Sequence, residues 1–281
     1  MSHPRNPLIP SSVRRRPGVL LWAVLGLGLA TGCASTPEPV RRSATAKSEL
    51  SVFERETRSR AHYDLGVDHL ARGQTAMALR EFLAAMDYEP ADPWIHLGLG
   101  ECYRRKSLYD KAEYHLLRAT ELKPHFQTAQ LNLSALYTHM KRYDDSAVWA
   151  QKLIDDPTYP APWRAYNNLG WAYLRTGRVE EARQSLEVAL EYDPKFWPAH
   201  LNLGILEAEA GRKLEAIEHF EEVLSRNPGP FAEAEVRYRM GELFVALGNR
   251  GRAVEQFAAA AESPSGGQWG KKSQDYLKLL Q

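Results

Sequence analysis

Residues 93–126 read PWIHLGLGECYRRKSLYDKAEYHLLRATELKPHF, and this stretch decides the fold. Leu99 and Gly100 are followed by Tyr103, then by Ala112, Leu116, Ala119 and Pro124. Apolar and small residues fall at helical spacing on both sides of Lys106-Ser107, so the segment predicts two helices joined by a tight turn. Small residues mark where the helices approach closely, and the bulky ones fill the space between them. Pro124 closes the second helix.

The same pattern extends outward in both directions. Thirty-four residues earlier stand Leu65, Gly66, His69, Ala78, Phe82, Ala85 and Pro90. Later copies carry Leu133, Ser134, Tyr137, Ser146 and Ala150; Leu169, Gly170, Tyr173, Ala182 and Leu186; and Leu203, Gly204, Ala216 and Phe220. A weaker sixth copy has Met240, Gly241, Phe244, Ala253 and Phe257. One helical pair cannot bury its own apolar face, so stacking of copies is obligatory and yields a curved array with a concave side. The pattern resembles the tetratricopeptide repeat. The expected fold is all-α, a right-handed superhelix (solenoid) of six repeats at 59–92, 93–126, 127–162, 163–196, 197–233 and 234–267. A tail over 268–281, with Tyr276, Leu277 and Leu280 among Lys and Gln, is expected to cap it.

Upstream, residues 1–32 read as an export signal. Arg14, Arg15 and Arg16 precede an apolar run from Val19 to Ala30, too short to span a bilayer. It ends in Leu29-Ala30-Thr31-Gly32-Cys33, which resembles the bacterial lipobox and implies lipidation of Cys33. The other readings are a plain secretory signal with an incidental cysteine, or a short signal anchor. Ala34 after the cysteine implies, by resemblance to enterobacterial sorting, the outer membrane, on its periplasmic face or at the cell surface. Residues 33–58, rich in Ser, Thr, Pro and Arg, form the expected tether, with a reach of about 25–30 Å if flexible and less if Ala46 to Arg60 become helical against the first repeat.

The formal charge of +1 falls to −3 once residues 1–32, with four Arg and no acid, are set aside. No basic footprint for nucleic acid remains. If Cys33 is lipidated, Cys102 has no cysteine left to pair with and is expected in the core. His96 and His200 share one repeat position, where packing between helices is the expectation rather than metal binding. There is no His-Glu-x-x-His, no paired Cys ligands, no phosphate-cradling loop and no nucleophile elbow. The expectation is a non-enzymatic monomer with no cofactor, metal or small-molecule substrate.

The register holds at 34 residues up to the third repeat and then slips: Leu133 to Leu169 spans 36 residues. The insertion coincides with Asp156, Pro157, Tyr159, Pro160 and Pro162, ahead of Arg164, Asn168 and Gly170. Simple loop drift is one explanation. The stretch also resembles the PilF/PilW/Tgl group, six-repeat outer-membrane lipoproteins of type IV pilus biogenesis. That resemblance implies a pilotin, which binds the pilus secretin and promotes its outer-membrane localisation and multimer assembly, hence motility. The alternative is a scaffold lipoprotein for another envelope complex, such as cell-wall or lipid machinery.

In such repeats the first helix of each pair lines the concave face. Carried onto this chain, the groove comprises Tyr63, Val67, Trp94, Leu97, Arg104 and Leu131 in its first half. Asn167, Trp171, Leu174, Leu201 and Ile205 continue it. An apolar, aromatic lining with Arg at intervals suits a partner segment that presents an apolar face. Recurrent Asn132, Asn168 and Asn202 are expected to bond within the array rather than to a ligand.

Overall fold

Ser51 opens the helical array. Its hydroxyl accepts from the Glu54 amide at 3.2 Å while the Glu54 carboxylate accepts from the Ser51 amide at 3.0 Å, a reciprocal cap. The structure is a computed structural model that describes residues 50–263 and 266–280. Among them are thirteen helices and no strand. Six pairs follow one another: α1 Val52–Ala71 with α2 Thr75–Met86, α3 Pro93–Arg105 with α4 Tyr109–Leu122, and α5 Gln127–His139 with α6 Tyr143–Ile154. Then come α7 Pro162–Arg175 with α8 Val179–Tyr192, α9 Trp197–Glu209 with α10 Lys213–Ser225, and α11 Pro230–Ala246 with α12 Arg250–Glu262. A single helix, α13 Gly267–Leu279, ends the array. Each helix from α1 to α12 packs on its pair partner, and successive pairs pack on one another, which is an all-α solenoid.

α1 begins before the expected repeat boundary at 59. Residues 52–58 are therefore helical and do not belong to the tether, because the Ser51 cap satisfies the amides of an earlier start. Residues 1–32, Cys33 and the tether as far as 49 lie outside the described residues.

The small residues of the pattern are interlocks. The Phe82 ring is fully buried between Gly66 of its own repeat and Gly98 of the next, where an added Cβ would stand 2.7 Å and 2.6 Å from ring carbons. Gly204 and Gly241 give the same room to Phe220 and Phe257. The third repeat solves the problem with opposite volumes. Ser134 replaces the glycine, Ala150 replaces the large residue, and the Ser134 hydroxyl donates to the Ser146 carbonyl at 3.0 Å. Interiors packed to crystal density require such paired volume changes.

The intra-pair turns need left-handed backbone at one residue. Gly73, Gly177, Gly211 and Gly248 supply it in four repeats, with φ of 73°, 80°, 79° and 73°. Ser107 and Lys141 adopt φ of 56° and 59° at the same place in repeats 2 and 3, at a steric cost that glycine avoids.

The two ends are closed differently. Leu65 is 49% exposed, whereas Leu99 and Leu133 at the same repeat position are at 0%, because no pair precedes α1 among the described residues. Around Leu65 the end is polar: Asp64 pairs with Arg60 and Asp68 with Arg72. At the other end Tyr276 of α13 stacks on Phe257 at 4.7 Å, and Trp269 lies 5.2 Å from Tyr238.

Repeat 5 departs from the pattern where Tyr103, Tyr137 and Tyr173 stand in its neighbours. It has Glu207, buried and held by Arg183 of α8 and by Arg212. Burial works to raise the Glu207 pKa, but the hydrogen bonds from the two guanidinium groups outweigh it and hold the carboxyl below its ordinary range. Cys102 is fully buried, and desolvation pushes its thiol up to about 12, so it is inert packing.

Candidate partner-binding surface

Of the residues that the sequence assigns to the groove on the first helices α1, α3, α5, α7 and α9, Val67 and Trp94 are exposed, and Tyr63, Leu97, Arg104, Leu131, Asn167, Trp171 and Leu201 are half-buried. Leu174, at 7% exposure, and Ile205, at 4%, are core residues and do not line a groove. Both belong to the cluster that runs through repeats 4 to 6, with Trp171 and Leu201 packed against it. Bulky apolar side chains on successive first helices pack on one another there. At the repeat position of Leu174, repeats 2 and 3 carry Arg104 and Thr138, which are half-buried.

Trp94 is the largest exposed side chain among the residues assigned to the groove. It is 44% exposed, although it is a large aromatic. Asp92 caps α3 by accepting from the Trp94 amide at 2.7 Å, which sets the helix start and hence the direction of the indole. Phe126 meets the indole edge-on at 4.5 Å, and Lys123 Nζ lies 4.9 Å from its ring centroid. A cleft of about 940 Å³ opens between α1 and α3, lined by Glu56, Ser59, Arg60, Tyr63, Glu89, Ala91, Asp92, Pro93 and Trp94. Burial, aided by the Asp92 charge, raises the Tyr63 pKa, so its phenol stays neutral.

Arg104 is not a free cation. Glu101 receives it at 2.8 Å and Arg105 at 2.6 Å. Burial works to raise the Glu101 pKa, yet the two guanidinium hydrogen bonds win and lower it. Asn167 accepts from Asn202 at 2.9 Å, and Asn168 donates to Ser134 at 3.3 Å. These amides bond between repeats, as the recurrence of Asn at this position anticipates.

The proline-rich insertion forms the connection from α6 to α7. Asp156 accepts from the Thr158 hydroxyl at 2.6 Å, from the Thr158 amide at 2.9 Å and from Gln127 of α5 at 2.7 Å. Those bonds, the Thr158 hydroxyl first, lower its pKa. Tyr159 is half-buried, Pro157 and Pro160 are exposed, and Pro162 starts α7.

On the opposite, second-helix side, His96 Nδ1 lies 2.9 Å from His115 Nδ1, and His96 Nε2 lies 3.0 Å from the Pro90 carbonyl. His200, His219 and Pro194 repeat the arrangement at 3.2 Å and 3.3 Å. The carbonyl requires Nε2–H on His96, which leaves its Nδ1 to accept from His115. Sequence reading placed His96 and His200 in the packing but not their partners 19 residues on. In repeat 1 the same two positions hold His62 and Glu81, 2.8 Å apart, and that spacing was the available signal.

A family model described as tetratricopeptide repeat matches residues 63–125, 140–195 and 167–230. Mouse superkiller complex protein 3 is 28% identical over 114 residues, which make up 41% of this chain and 7% of that protein. The chain thus spans a small fraction of this curated relative. Among solved structures, PilW, titled a widely conserved type IV pilus biogenesis factor, matches with a TM-score of 0.67 and 24% identity over 77% of this chain and 98% of its own. PilF of Pseudomonas aeruginosa matches with a TM-score of 0.63 and 17% identity, over 79% and 99%. At these identities the likeness is one of fold. Repeats of this kind mediate protein–protein interaction and are generally non-catalytic scaffolds. With its repeats matched over more than half its length, the chain belongs to the tetratricopeptide-repeat family.

Proposed function

We propose that this protein is a non-enzymatic, lipid-anchored scaffold of the outer membrane that binds the type IV pilus secretin and promotes its localisation and multimer assembly. The observation that carries the reading is the likeness in fold to PilW and PilF, over nearly the whole of those two chains and more than three quarters of this one. The lipobox-like run ending at Cys33 and the proline-rich insertion support it from the sequence. The concave face of repeats 1 to 3 is the docking surface, with Trp94 as its aromatic anchor. Aromatic anchors of this kind concentrate binding energy in interfaces.

The test is an immunoblot of the secretin from unheated membranes, with and without this gene. Loss of the heat-sensitive multimer with accumulation of monomer supports the reading. A multimer at normal level and location removes the pilus assignment and leaves a scaffold for another envelope complex. In the complemented strain, Trp94→Ala is expected to reduce the multimer while helix content stays unchanged.

A further inference from the structure

The cleft between α1 and α3 has a chemistry the rest of the concave face lacks. Tyr63, Ala91, Pro93 and Trp94 give it apolar walls, and Glu56 and Glu89 stand at it without a hydrogen-bond or ion-pair partner among the described residues. Unpartnered acids are uncommon on this face: Glu101 is bound by Arg104 and Arg105, and Asp64 by Arg60. Asp92 adds a third negative charge, with one oxygen committed to the α3 cap. Among the described residues the one cation lining the cleft is Arg60, which lies 5.8 Å from the Tyr63 ring centroid and has its charge offset by both carboxylate oxygens of Asp64, at 3.1 Å and 3.2 Å. Trp94 already receives a cation from the α4–α5 connection, where Lys123 lies over its ring.

Two electron-rich rings beside unpaired carboxylates are complementary to a cation that also has an apolar stem. We propose that this cleft takes an arginine or lysine side chain from an extended, basic-apolar segment of the partner protein. The aliphatic stem packs against Tyr63 and Trp94, and the charged head meets Glu56 and Glu89. An acidic segment would place like charges together, so the cleft also excludes wrong partners by repulsion. The inference rests on the reading of the concave face as the docking surface.

The test titrates the full described array, carried on the soluble chain without residues 1–33, with two ten-residue peptides in a Gly/Ser background. One has a central Arg-Leu pair and the other Glu-Leu, and the tryptophan indole resonances are followed by NMR. The Arg-Leu peptide is expected to shift the Trp94 resonance. Its affinity should fall at least fivefold in Glu56→Gln/Glu89→Gln and at high salt. Equal binding of the Glu-Leu peptide, or an unmoved Trp94 signal with Arg-Leu, overturns the proposal. The same double variant is then scored for secretin multimer. If wild-type chain never binds secretin while the peptide result holds, the pilus reading fails and the cleft chemistry stands. If secretin binding needs Trp94 but ignores both glutamates, the pilus reading stands and the cation assignment falls.

Discussion

Gln127 of α5 donates to Asp156 across 2.7 Å, which ties the insertion between α6 and α7 back to the start of the same repeat. Three prolines stiffen this connection, but stiffness alone does not set its direction. The Asp156 carboxylate does, through Thr158 and Gln127. Asp156→Ala is therefore expected to raise hydrogen–deuterium exchange across 156–161 while α5 and α7 keep their protection. The low Asp156 pKa means that the tie is present above the ordinary carboxylate range and is lost only as pH falls through the lowered value. Unchanged exchange in the variant would show that the prolines suffice.

The paired histidines predict acid sensitivity. Burial, followed by the neighbouring His96 and Lys111 charges, depresses His115 to about 4, and burial also lowers His219. Between that value and the ordinary histidine pKa the unfolded chain binds a proton that the folded chain does not, so stability rises with pH. The contribution is complete above the unfolded pKa and fades as pH drops toward 4, by up to about 3 kcal/mol for the His115 pair. Urea midpoints at pH 7.5 and 5 measure it. His115→Gln should flatten the difference, and an equally steep loss in that variant would assign it to other groups.

Gly98 has no room for a methyl group, since its Cβ would stand 2.6 Å from the Phe82 ring. Gly98→Ala is expected to cost about 1–3 kcal/mol through overpacking. Phe82→Leu on the same background should recover part of the loss, giving a coupling energy in a double-mutant cycle. Strictly additive losses would mean that the ring and the glycine do not share the space.

Glu207 is exposed to no solvent of consequence and balances two arginines. Glu207→Gln should lower stability by roughly 2 kcal/mol, less than a fully buried pair, because Arg183 and Arg212 still reach water. Denaturant unfolding reads the change. Replacement with tyrosine, the residue of the neighbouring repeats, is expected to cost less than replacement with alanine, since the ring fills the volume even though Arg183 loses its partner.

Much of the architecture was readable because it is local. Leu-Gly at the start of a first helix, alanine at fixed distances and proline at the end recur within one 34-residue unit, and stacking geometry follows from their volumes. The repeat pattern does not fix where α1 starts, because the Ser51–Glu54 cap lies outside it. Lys141 was missed as a turn residue because its left-handed backbone is imposed by the helices on either side, in the absence of a glycine.

The amino-acid sequence by itself determined the number of repeats, the register of their helices, the position of the insertion and the apolar character of the concave side. It could not decide which concave residues meet solvent. Leu174 and Ile205 occupy the same kinds of position as Leu70 and Val67, yet only the first two are buried. The difference depends on what the adjacent repeat presents across the seam. The pairing of His96 with His115 and the charge around Trp94 arise in the same way. Each joins side chains from different helices, and their separation is set by packing of whole repeats rather than by the spacing within one.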